Sequence, residues 1–187
     1  MIELNYYRTD VSKEAGKKAC EQLYSILPDL TSKYDFGGKD SVKNAEKAAV
    51  ASIMAHLPTI LDLLGDVRGK KILDLGCGSM PQRDGDFLGR QFEPWLCRGL
   101  HILGAHSIGI DIGKLEKELF EHYSLDLTKE GCLDFIKDHT IDLVTATFFF
   151  DSPSLHDSYG EAAHDLKQQL YPHIKRVLKP HSIFPRT

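Results

Sequence analysis

The chain has no pair of closely spaced cysteines. Its four, Cys20, Cys77, Cys97 and Cys132, are scattered and none forms a C-x-x-C unit. That argues against a thiolate zinc site and against a disulfide framework, so they read as reduced thiols. A surplus of basic charge is also missing: 23 Lys and Arg against 27 Asp and Glu leave a net charge of −4. No global field draws in nucleic acid. The opening "MIELNYYRTD" lacks the apolar core of a secretory signal, and no uninterrupted apolar run approaches ~18 residues. Internal repeats and low-complexity tracts are absent. Asp84 and Asp86 form a lone D-x-D pair with no further carboxylates, so no metal is expected. The expectation is a cytoplasmic chain with no membrane partner.

What is present suits one folded domain. The 187 residues are 42% hydrophobic and 27% charged, and a chain of this size buries roughly 70% of its unfolded surface without disulfide or metal. Residues 10–28 read as a helix with Ala19, Leu23, Ile26 and Leu27 on its apolar face and Pro28 just past its end. After a polar link, "SVKNAEKAAVASIMAHLPTILDLLGD" from Ser41 is helical, with Pro58 breaking or kinking it. Residues 1–40 are therefore taken as an N-terminal helical extension and 41–187 as the main domain.

From Lys70 the pattern alternates. Apolar runs at 70–76, 106–113, 122–127, 141–150 and 181–184 read as strands. Helical stretches are expected near 91–103, 114–121, 129–138 and 157–178. Strand alternating with helix predicts an open α/β sheet, mainly parallel and doubly wound, with helices on both faces. Ligands bind beyond the carboxyl ends of such strands, where strand order reverses. The residues finishing the runs are then the candidates: Asp74, Asp111, Asp126 and Thr147.

The loop after the first run, "GCGSM", lacks the third glycine of G-x-G-x-x-G, and no Walker lysine follows. Gly76 and Gly78 still let the backbone approach a bulky ligand and take positive φ. Asp111 offers a carboxylate to two ribose hydroxyls. Ordinary roles stay open beside these: a tight strand-to-helix turn for the glycines, and helix caps for Asp111 and Asp126. Thr147 also suits a plain strand position, and Cys77 a small buried residue.

In that order, "ILDLGCGS", "IGIDIG", "LDLT", "IDLVTATFFF" and "IKRVLKP" resemble the class I S-adenosylmethionine-dependent methyltransferases over about residues 45–184. The resemblance implies S-adenosylmethionine as cofactor, S-adenosylhomocysteine as product and strand order 3-2-1-4-5. It implies that Asp74, Gly76 and Gly78 line the methionine moiety and that Asp111 binds the ribose, with Cys77 and Ile112 counted among the cofactor-binding residues. Asp126 and the backbone of Leu127 would face the adenine, with Ala146 and Thr147 near the sulfonium.

Three departures accompany the likeness. Met80 stands where a third small residue is usual, which predicts weaker binding or a shifted loop. Asp74 and Asp111 lie 37 positions apart, against about 20 in an ordinary unit. Pro94 and Gly104 suit the ends of a crossover helix, so the surplus is "MPQRDGDFLGRQ" (80–91), an insertion suited to a lid or substrate-selecting loop. "LKPHSIFPRT" ends at Thr187 with His181 and Ser182 in place of two glycines, so the family's last two strands are expected to be absent. The fifth strand would then be an edge, covered by the N-terminal segment or by a second subunit in a homodimer.

In-line methyl transfer to a small-molecule acceptor is the expected reaction, driven by proximity. Asp151 and His156, in "TFFFDSPSLHDS", are the candidates for a general base, although His156 equally suits a solvated helix start. The segment is unlike the "DPPY" tetrapeptide of enzymes that methylate amino groups of nucleic acid. The alternative is a non-catalytic, truncated methyltransferase-like module that binds the cofactor or a partner.

Overall fold

The computed structural model describes residues 11–33, 39–79, 92–146, 149–150, 160 and 162–183. Five strands form one sheet: β1 Lys71–Leu75, β2 His106–Asp111, β3 Glu121–Ser124, β4 Ile141–Thr145 and β5 Leu178–Ile183. Their order is β3-β2-β1-β4-β5 and every pairing is parallel. This is the doubly wound α/β fold that the alternating pattern predicts. Order reverses at β1, which has β2 on one side and β4 on the other, so the carboxyl end of β1 is the switch point.

Alternation along β1 assigns its two faces. Ile72 joins a core with Leu143 and the helices α1 Lys13–Lys33, α2 Lys39–Met54, α3 Leu57–Leu64 and α4 Trp95–Ile102. Leu73 and Leu75 point the other way, to a core with Ile110, Val144 and the helix α5 Ala162–Val177. In α1 the buried residues Ala15, Ala19, Leu23, Ile26 and Leu30 recur every three or four positions, one stripe of a 3.6-residue helix. That stripe packs on α2, α3 and α4, so α1 belongs to the same core as the sheet.

The elements differ from the sequence reading at their ends. Pro28 sits inside α1 rather than past its end, on the solvent side. The helical stretch does break by Pro58, at Ala55–His56, and Pro58 stands in the first turn of α3, where a missing N–H costs nothing. Val42–Leu64 is apolar and long enough to pass for a membrane span by composition. Its Ala45, Ala49, Ile53, Leu57, Ile60 and Leu61 are nevertheless buried in the helical core.

Two expected helices are not helices. In 129–138, turns replace the α pattern: Gly131 has φ +71° and Ile136 N–H donates to Leu133 O, three residues back. The Arg176 guanidinium of α5 donates to Leu133 O and Ile136 O, both at 2.8 Å, and so ties these turns to that helix. In 114–121 the chain makes bends, with Lys117 at φ +65°. Its residues are drawn elsewhere: Phe120 packs with Cys77 and Cys97, and Glu118 pairs with Arg98.

Candidate functional site

At the carboxyl end of β1 the chain turns on two glycines, Gly76 at φ +69° and Gly78 at φ +91°. Side chains are excluded at both. A Cβ on Gly76 would run into the ring of Phe149, and one on Gly78 into the carbonyl of Phe92. The turn is tied to β2. Gly76 and Cys77 N–H both donate to Ile110 O, at 2.8 and 3.1 Å.

The turn also meets the carboxylate that ends β2. Gly78 N–H donates to Asp111 Oδ2 at 3.0 Å, and the Ser79 hydroxyl donates to Asp111 Oδ1. Gly113 N–H reaches Ser79 Oγ at 3.1 Å and Asp111 Oδ1 at 3.3 Å. Gly113 must be small, because a Cβ there would overlap the Ser79 hydroxyl. Beside this carboxylate, Ile112 is 65% exposed and Phe92, at the far end of the insertion, 53%.

Asp74 lies one layer deeper. It is buried, accepts a hydrogen bond from Thr145 Oγ1 at 2.8 Å, and has Cys97 Sγ 3.8 Å from Oδ2. It thus crosslinks β1, β4 and α4 beneath the turn. Cys77 likewise points inward, against Gly109, Phe120 and Cys97. The hydrogen bond with Cys97, then burial, push its thiol pKa up, and burial does the same to Cys97. Neither is a nucleophile at neutral pH.

Asp126 stands two residues beyond β3, next to Leu125, whose N–H donates to Asp111 O at 2.9 Å. Its Oδ1 accepts from Thr128 N–H at 2.9 Å and Thr128 Oγ1 at 2.6 Å. Asp126 therefore organises its own turn. Leu127 is buried in the α5-side core, and its carbonyl accepts the Cys132 thiol. Ala146 is buried too. Thr147, Asp151, His156 and the insertion 80–91 lie outside the described residues.

Four features escaped the sequence reading. Ser79, a serine after glycine, carries no signal of its contact with Asp111. Thr145 meets Asp74 only through the pairing of β1 with β4. His122, opposite Gly109 on β3, packs edge-on against Phe120. The fourth is a buried ion cluster: Arg98 of α4 binds Glu93 at 2.5 Å and Glu118 at 2.7 Å, with Trp95 under the guanidinium. It fixes the start of α4 to the β2–β3 connection, next to the Gly78 turn. No short motif signals these, because their partners lie on other elements.

No protein-family model and no curated protein matches the chain. An adenosyl cofactor would meet an Asp111 carboxylate already accepting from Gly78, Ser79 and Gly113, an exposed Ile112 beside it, and the Phe149 ring lying against Gly76.

Proposed function

We propose that the chain is an S-adenosylmethionine-dependent methyltransferase that acts on a small-molecule acceptor in the cytoplasm. One observation carries this reading: the glycine turn after β1 lies on the Asp111 carboxylate at the switch point of a 3-2-1-4-5 sheet, with exposed Ile112 beside it. A carboxylate at the end of the second strand suits a ribose diol, and an exposed branched side chain next to it suits a purine face.

The cofactor, when bound, supplies an electrophilic methyl group on sulfur. The residues of this chain supply position. Asp111 orients the sugar, Gly76 and Gly78 allow the turn that brings the Gly78 amide onto Asp111, and Asp74 with Thr145 stiffens the floor under them. Orientation alone offsets up to about 7–11 kcal/mol of a barrier. Asp151 and His156 stay the candidate bases.

A second reading, a non-catalytic adenosyl-binding module, is favoured by the Phe149 ring on Gly76, which narrows the space a reacting sulfonium needs. Thermal unfolding with S-adenosylmethionine, S-adenosylhomocysteine and NAD tests both. At about 100 times its Kd a ligand adds about 2.7 kcal/mol, or roughly 5–10 °C for a chain of this size. Response to the sulfur nucleotides and not to NAD is expected, with Asp111→Ala abolishing it. Silence from both sulfur nucleotides ends the proposal. Binding with no S-adenosylhomocysteine formed over a panel of acceptors selects the module.

A further inference from the structure

We infer that Ser79 regulates how the site reads a sugar: its hydroxyl holds the acceptor position on Asp111 that a second ribose hydroxyl needs. The inference rests on the nucleoside reading above and goes beyond it in assigning a specificity-determining residue.

A carboxylate has about four acceptor positions. Among the described residues, three donors already share those of Asp111: Gly78 N–H, Gly113 N–H and the Ser79 hydroxyl. A ribose diol brings two more. Five donors exceed four positions, so one must leave. The Gly78 amide is fixed by a turn at φ +91° against the Phe92 carbonyl. The Gly113 amide belongs to the backbone that follows β2. Ser79 alone can withdraw by rotation about a single side-chain bond. Its departure leaves Gly113 N–H, now shared between Ser79 Oγ and Asp111 Oδ1, wholly on the carboxylate.

The consequence is a selectivity that the wild-type chain suppresses. A sugar with one hydroxyl fills the fourth position and disturbs nothing. A diol gains a second hydrogen bond to Asp111 but loses the Ser79 one. Ribose should therefore be only weakly preferred over a deoxyribose until Ser79 is removed.

The test is a calorimetric binding cycle with adenosine, 2′-deoxyadenosine and 3′-deoxyadenosine on wild type, Ser79→Ala and Ser79→Cys, with S-adenosylhomocysteine as reference ligand. Cysteine keeps the side-chain size and is a poor donor, so it covers the case in which alanine unsettles the fold. The ratio of deoxyadenosine to adenosine Kd is expected to rise about tenfold in both variants, the worth of one more hydrogen bond to a charged acceptor. If S-adenosylhomocysteine binds and the ratio stays put or falls, the inference is overturned and the cofactor reading survives. If no adenosine compound binds any of the folded proteins, both fall together.

Discussion

Titrating the protein from pH 7 to pH 4 should charge one imidazole that the fold keeps neutral. His56 sits in the corner between α2 and α3, 7% exposed, and burial lowers its pKa from 6.5 to about 4. A depressed histidine pKa means that the unfolded chain binds the proton first. The native state thus holds its full advantage above about pH 6.5 and loses it as pH falls toward 4. For a shift from 6.5 to about 4 the loss is about 2 kcal/mol at pH 5 and about 3 kcal/mol at pH 4. Native domains are stable by only about 5–15 kcal/mol, so the effect is large. Urea unfolding at pH 7, 5 and 4 measures it, with His56→Met as the comparison because methionine is apolar, of similar length and cannot titrate. Asp142, whose pKa is lowered by Lys179 and the Lys71 N–H, also weakens the fold in acid, but equally in both proteins. The difference between the two slopes isolates His56 even if the variant is weaker at pH 7. Equal losses in the two proteins would refute the reasoning.

Two further substitutions probe the frame of the site. Arg98→Met should destabilise by about 3–5 kcal/mol, since Glu93 and Glu118 keep buried charges without their shared cation; a fall in urea midpoint worth less than 1 kcal/mol would mean that water compensates them. Gly76→Ala should cost about 1–2 kcal/mol for a side chain at φ +69° plus the overlap with Phe149. Adding Phe149→Ala should return only the overlap part in thermal unfolding, and a neutral Gly76→Ala would contradict the turn.

The sheet was legible because its signals are local and additive. Each apolar run is bounded by polar or glycine residues; the strand order itself is expected from the motif resemblance rather than from alternation. The failures come from tertiary partners. "KLEKELFE" has helical composition, yet burying Phe120 beneath Cys77 and pairing Glu118 with Arg98 outweigh propensity there. "KEGCLDFIKD" makes turns, with Gly131 at positive φ, that are tied by an arginine some 40 residues away. The same limit applies at the site. Gly76, Gly78, Asp111 and Ile112 stand at the rim the pattern marks, since strand ends and glycine turns are written in sequence. That Asp74 faces inward to Thr145, and that Asp126 serves its own turn, depends on contacts no spacing encodes. Ser79 was overlooked because a serine after glycine has no distinctive meaning until Asp111 is brought against it.

The meeting of Gly78 with the Phe92 carbonyl has a consequence for how such a chain can diversify. The two ends of segment 80–91 are pinned beside each other, one on Asp111 through Ser79 and the other through Glu93 on Arg98. A stretch anchored at a closed neck can be swapped or lengthened at little expense, since doubling a loop adds only about 0.6 kcal/mol. The framework thereby works as a socket whose insert can drift in composition while strand order and the contact of Gly78 with Asp111 remain untouched.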